Sequence, residues 1–198
     1  MGKLKQVLST AQWHAEPPSW DLTDAELSLT TGAKTDFWQN TFYGFRRDDG
    51  HFLGQSVSGD FTAVVGFEAD YQVLYDQAGM MVRADDQTWL KAGIEYSDDV
   101  TNFSTVVTRN GQSDWSVIGV PQLSGLQRVR VTRTDSSVIT HYLDRYGHWQ
   151  LMRLANFPES ANVVVGPMAC SPERTGLTVR FHEFQIGPPL QDPLHATL

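Results

Sequence analysis

The sequence is short of several things, and each shortage removes a class of protein. Cysteine occurs once, at Cys170, so no internal disulfide can form. Small secreted β domains usually carry several paired cysteines, and a reducing, cytoplasmic compartment is therefore the expectation. Basic residues are outnumbered, 15 Lys and Arg against 23 Asp and Glu, for a formal charge of -8. That is the wrong sign for a protein that tracks phosphate backbones or anionic lipid, so neither nucleic acid nor a membrane surface is an expected partner. No run approaches the roughly 18 consecutive apolar residues of a membrane span, and the N-terminal MGKLKQVLSTAQWHAEPPSW holds no apolar stretch of signal-peptide length. Gln6 stands where a myristoylation signal would have Ser or Thr, which leaves Gly2 an ordinary second residue. Internal repeats, low-complexity tracts and amphipathic helical stretches are also missing, which argues against βαβ units. No glycine-rich phosphate loop precedes a helix, so no nucleotide cofactor is expected.

What is present is β-forming sequence cut into short lengths. A chain of 198 residues is long enough for one substantial core, and a single domain over 1–198 is the economical reading. The runs FTAVVGFEADY (61 to 71), AGMMVRA (78 to 84), WLKAGIEYS (89 to 97), FSTVVTR (103 to 109), LQRVRVTRT (126 to 134), VITHYLD (138 to 144), HWQLMRLANF (148 to 157), NVVVGPMAC (162 to 170) and LTVRFHEFQI (177 to 186) are rich in β-branched and aromatic residues and read as strands. Turn formers separate them, among them Asp85-Asp86, Asp98-Asp99, Asn110-Gly111, Asp135-Ser136 and Tyr146-Gly147. So many antiparallel strands cannot all hide a face in one open sheet, which predicts an all-β sandwich of two antiparallel sheets.

One hairpin is informative enough to yield a register. A three-residue turn at Asp85, Asp86 and Gln87 sets Arg83 opposite Trp89, Met81 opposite Lys91, Gly79 opposite Gly93 and Gln77 opposite Glu95. Alternation then sends Ala78, Met80, Val82, Leu90, Ala92 and Ile94 to the core. The reverse face carries Gly79, Met81, Arg83, Trp89, Lys91, Gly93 and Glu95, a mixture of aromatic, charged and glycine positions expected of a surface that touches something. In this register the Arg83 guanidinium stacks near the Trp89 ring, and the glycine pair leaves room for a backbone or ligand to approach. Lys91 and Glu95 lie about 13 Å apart along the strand, so each needs a cross-strand or ligand partner.

Other candidates lie outside this hairpin. TDFWQNTFYGFRRDDGHFLG (35 to 54) mixes aromatics, charges and His51 without alternation, as cleft-lining loops do. Trp38, Trp89 and Trp115 have the flat faces that stack on sugar rings, although tryptophans of a sandwich also serve as core anchors. Arg130, opposite in direction to the inward Val129 and Val131, is expected on the same exposed face, and SDWS (113 to 116) sets Asp114 and Trp115 at a turn. His51 is a candidate acid-base group, with turn stabilisation as the alternative. His141, Asp144 and His148 have no close-spaced ligand pattern, and the acidic doublets at 48, 85 and 98 are explained by separate turns, so no metal is expected. Cys170, at the end of a strand, reads as a small buried residue.

Taken together, TDFW (35 to 38), YDQAGMMV (75 to 82), WLKAGIE (89 to 95), VVT (106 to 108), SDWS (113 to 116) and VGPMACSP (165 to 172) resemble the uncharacterised family that contains the regulation-of-enolase protein. The resemblance runs from about Trp20 to Ile186. It implies a concanavalin A-like jelly-roll fold with a concave sheet, in agreement with the strand reading, and a regulatory role in carbon metabolism through a metabolic-enzyme partner. It supplies no catalytic set. The Glu-x-Asp-x-Glu strand of laminarinase and lichenase relatives of the fold is absent, since Glu95 is followed by Tyr96-Ser97-Asp98.

Three functions follow as expectations. The first is binding of a carbohydrate or related polar ligand through Trp38, Gln77, Arg83, Trp89, Lys91, Glu95 and Arg130. The second is a glycan hydrolase pairing Glu95 with Asp76 or Asp114, for which two carboxyl groups must flank a groove. The third is a protein-interaction domain acting on a carbon-metabolism enzyme. For Glu95 itself, catalysis, ligand hydrogen bonding and an ion pair with Lys91, Arg83 or Arg130 all remain open.

Overall fold

A computed structural model describes residues 3–120, 123–159 and 162–195; Gly2 lies outside them. A short helix, α1 (Leu4–Val7), leads into the strands β1 (Gln12–Trp13), β2 (Ser19–Leu22), β3 (Leu27–Thr30), β4 (Phe37–Gln39), β5 (Arg46–Asp48), β6 (His51–Ser58), β7 (Phe61–Ala69) and β8 (Gln77–Arg83). Then come β9 (Trp89–Ser97), β10 (Val100–Arg109), β11 (Gln112–Gly119), β12 (Gln127–Thr134), β13 (Ser137–Leu143), β14 (Trp149–Asn156), β15 (Asn162–Cys170) and β16 (Thr178–Gly187). All nine expected runs are strands. No helix among the described residues is long and apolar enough to cross a membrane.

The strands form two antiparallel seven-stranded sheets, ordered β1-β6-β15-β8-β9-β10-β11 and β14-β13-β12-β7-β16-β3-β2, with β4 and β5 pairing separately. This is the expected jelly-roll sandwich. The main core lies between the sheets, where Phe61, Phe67, Phe103, Phe181 and Phe184 pack with the aliphatic faces of β8 and β9. Fully burying one such side chain contributes about 1.5–3 kcal/mol. Positive φ angles at Asp98, Asp99, Asn110 and Gly111 turn the β9–β10 and β10–β11 hairpins, which is what short polar side chains and glycine permit.

The β8–β9 hairpin has the expected register: Gln77 opposite Glu95, Gly79 opposite Gly93, Met81 opposite Lys91 and Arg83 opposite Trp89. Ala78, Met80, Val82, Leu90, Ala92 and Ile94 all enter the main core. Two local readings change. The SDWS stretch is interior to β11, not a turn, because pairing with β10 from Asn102 through Arg109 overrides the turn preference of Ser and Asp. The 35–54 stretch is not a loop throughout; it contains β4, β5 and the start of β6.

The Gly79/Gly93 pair also has a role different from admitting a ligand. A methyl group on Gly93 would collide with the carbonyl oxygen of Ala78 and would sit 2.6 Å from Gly79 Cα. The close approach is between the two strands themselves. Gly93→Ala is therefore expected to destabilise the fold by about 3 kcal/mol, whereas Gly187→Ala, with nothing within 4 Å of the added carbon, changes it by less than about 0.5 kcal/mol. Urea denaturation of the two variants measures the difference.

Candidate functional site

Alternation on β9 turns Trp89, Lys91, Gly93 and Glu95 away from the main core, onto the outward face of the β1–β11 sheet. The β4–β5 hairpin lies across part of that face and is tied down along its length. Gln39 donates twice: its backbone N–H to Ser113 Oγ at 2.9 Å and its side-chain amide to Asp86 O at 2.7 Å. Asn40 donates to Gly111 O at 2.6 Å. At the other end Arg83 grips Asp48 with two bonds of 2.6 and 2.7 Å, the fork geometry that makes guanidinium–carboxylate pairs strong. Beneath the hairpin Phe37, Phe52, Met81, Trp89, Val106, Met168 and Cys170 form a second apolar cluster. Trp89 is 0% exposed, and its ring meets Phe37 edge-on at 6.0 Å.

Beyond this plug the face opens into a cavity of about 170 Å³. Its floor is polar and deeply set. Lys91, 4% exposed, donates to Gln77 Oε1 at 2.7 Å and to Asp36 Oδ1 at 3.2 Å. Glu95, 6% exposed, accepts from Ser104 Oγ at 2.7 Å through Oε2, and Ser104 in turn accepts from Trp115 Nε1 at 3.0 Å. Because the Ser104 hydroxyl receives the indole N–H, its own proton points to Glu95. The walls are aromatic: Trp38, Tyr43, Phe45, Tyr75 and Trp115 come from β4, the β4–β5 turn, β5's approach, the β7–β8 connection and β11, with Arg47 and Glu173 also lining the site. Tyr43 and Tyr75 share a hydroxyl–hydroxyl hydrogen bond of 2.8 Å.

The buried charges follow from these contacts. Burial pushes the Glu95 carboxyl up, and the Lys91 ammonium and the Ser104 hydroxyl offset this only in part. Burial opposes the charge of Lys91, yet the facing carboxylate of Asp36, with Glu95 further off, more than reverses it and raises the ammonium above its ordinary value. Cys170, buried beside this network, is pushed up by loss of solvent, so its thiol stays protonated. Among the described residues, no group of three or more His, Cys, Asp or Glu side chains is arranged to hold a metal ion.

A family model described as Protein of unknown function (DUF1349) matches residues 13–189. The chain belongs to the DUF1349 family. It is 44% identical over 95% of its length to Regulation of enolase protein 1 of Saccharomyces cerevisiae, covering 94% of that protein. A crystal structure of a functionally unknown protein from Saccharomyces cerevisiae is similar with a TM-score of 0.88 and 46% identity, over 92% of this chain and 98% of that one. The GH43 BlXynB protein from Bacillus licheniformis is similar in fold, with a TM-score of 0.67 and 17% identity over 89% of this chain and 36% of that one.

Within this DUF1349 chain the expected site residues divide into groups. Trp38, Gln77, Lys91 and Glu95 line the cavity, as does Trp115. Arg83 stands on the same sheet face but on the far side of the plug, and its guanidinium goes to Asp48 instead of stacking on Trp89, since two charge-assisted bonds outweigh a cation–π contact. Trp89 is inside the plug. Arg130 belongs to the other sheet, where it lies over the Trp149 ring at 4.5 Å; alternation had given its direction and not its sheet. Asp76 is wholly buried, accepting from Arg174 and from the backbone of Gln72 and Val73. Asp114 points to the face opposite Glu95 and pairs with Arg153 at 2.9 Å. His51 accepts from the Gly32 N–H at 2.9 Å through Nε2, so Nδ1 carries the proton donated to Ala15 O at 3.0 Å. Asp144 organises its own turn through the backbone N–H groups of Tyr146 and His148. Asp36, Tyr43, Phe45, Tyr75 and Ser104 are additions to the expected set, and Asp36 is visible in the sequence only as the charged member of TDFW.

Two outcomes test this description. Lys91→Met leaves the Asp36 carboxylate buried without its cation and is expected to cost about 3 kcal/mol in urea denaturation. Asp48 is opposed by burial but held down by His14 and Arg83 to about 2. Its folded-state value is depressed, so the stability it contributes is complete above about pH 4 and is lost as the pH falls toward about 2. Comparing wild type with Asp48→Asn, the gap in urea midpoint should shrink steadily from pH 5 to about pH 2.5; a gap that stays constant would contradict the assignment.

Proposed function

We propose that the cavity between the β4–β5 hairpin and the outward face of β8–β11 binds a small neutral polyhydroxylated ligand, a carbohydrate in chemical class. The observation that carries this reading is a buried array of donors and acceptors, Lys91, Gln77, Asp36 and Glu95, set at the bottom of a ring of five aromatic side chains. Sugar hydroxyls need such an array, and the apolar C–H faces of a sugar ring need such walls. Charge balance favours a neutral ligand over an ionic one. Lys91 is neutralised by Asp36 at 3.2 Å, Arg47 and Glu173 contribute opposite signs, and the raised pKa of Glu95 reduces its demand for a cation.

The hydrolase alternative gains no support from its expected pairs, since neither Asp76 nor Asp114 lines this cavity. The protein-partner alternative has one observation in its favour. Phe42, at the tip of the β4–β5 turn, is 92% exposed beside Tyr43 and Phe45, and exposed apolar clusters of this kind mark interaction surfaces. The name of the yeast relative gives that alternative its subject, a metabolic enzyme.

Tryptophan fluorescence reports on the site directly, because Trp38 and Trp115 line it. Titration with monosaccharides is expected to give a saturable change. Trp115→Ala and Glu95→Gln should each weaken binding about tenfold or more, while Tyr146→Ala, at the exposed β13–β14 turn, leaves it unchanged. Absence of saturation with every sugar, together with stoichiometric capture of a metabolic enzyme that Phe42→Ala abolishes, would replace this reading with the partner one.

A further inference from the structure

The way a sugar would enter is constrained by what interrupts the sheet face. A ligand made of several linked rings lies along a sheet only where the groove is continuous. Here the β4–β5 hairpin and the apolar plug of Phe37, Phe52, Met81 and Trp89 fill the middle of the face. On the far side is a separate cavity of about 360 Å³ with a mixed polar and apolar lining that includes Trp13, His14, Phe52, Ser56 and Arg83. The dividing wall is not a loose flap. It is fastened at one end by the two Arg83–Asp48 bonds and His14, whose Nε2 bonds to Asp48 O at 3.0 Å, and at the other by Gln39 and Asn40.

The near side is bounded as well. The Tyr43–Tyr75 hydroxyl bond of 2.8 Å joins the hairpin turn to the β7–β8 connection, and both rings line the cavity. With about 170 Å³ available, the space is below the roughly 300 Å³ at which pockets for drug-sized ligands begin. It matches one ring and not several.

We infer that the cavity receives a single terminal sugar ring end-on, and that any further rings of a longer glycan project from the mouth without making specific contacts. This rests on the carbohydrate reading above and adds to it the part of the ligand that is recognised. Selectivity would then lie in the hydroxyl pattern of one ring, read by Lys91, Gln77 and Glu95, and not in the linkage between rings.

The test is calorimetric titration of the full chain with glucose, xylose, mannose and N-acetylglucosamine, each alone and as its β-1,4-linked dimer and tetramer. The expected result is saturation by at least one monosaccharide, with its tetramer binding within about threefold of it. In addition, Ser56→Ala, across the wall on the outward face of β6, leaves the tetramer affinity unchanged. An affinity that climbs about tenfold or more from monomer to tetramer, or that falls for the tetramer alone in Ser56→Ala, overturns the end-on inference while the carbohydrate reading survives. If none of the sugars binds at any length, both are overturned.

Discussion

A lysine on the outward face of a central strand, almost without solvent, is the constraint on which this side of the molecule depends. An ammonium group in that position must be met by anions and hydrogen-bond acceptors, since an unpaired buried charge costs several kcal/mol. β9 is flanked by β8 and β10, and the strands themselves offer Lys91 a neutral acceptor, Gln77 Oε1 at 2.7 Å, with the Glu95 carboxyl further off. The missing anion comes from Asp36, 55 positions earlier in the chain. Bringing Asp36 there brings Phe37 and Trp38 with it, and hence the β4–β5 hairpin, the plug beneath it and the wall that divides the face.

The fold was legible because it rests on local signals. Nine strand runs and the turns between them are visible as β-branched clusters and short polar pairs, and the β8–β9 register follows from one turn and one alternation. The site was legible by half. Alternation correctly separates the two faces of β8 and β9, but it cannot say whether the second face meets solvent, ligand or another part of the chain. β4 and β5 are three residues each, too short to show a period of two, so the segment that covers Met81 and Trp89 reads as an irregular loop. The same limit explains Arg130. Direction relative to Val129 and Val131 is a property of one strand, whereas sheet membership depends on pairing with β7 and β13. Asp114 fails for a third reason: Ser and Asp prefer turns, and only the long-range pairing of β11 to β10 shows them to be strand residues with Asp114 facing away from Trp115.

The contrast along β9 bears on why the cavity is there at all. At Trp89 the outward face is packed as tightly as the main core, with Phe37, Met81 and Met168 around the ring. Two and six residues further on, at Lys91 and Glu95, the same face keeps charged groups at almost the same degree of burial. Buried ion pairs are weak contributors to stability, and replacing one by apolar side chains of similar volume is often neutral or stabilising. The adjacent plug demonstrates that this scaffold can pack that face with apolar groups. A polar floor at Lys91, Asp36 and Glu95 is therefore not accounted for by folding alone, and five aromatic rings converging around it are not accounted for by the ion pair. The ligand proposed above would present hydroxyl groups to the floor and C–H faces to the walls, and this double match is the physical case for that proposal.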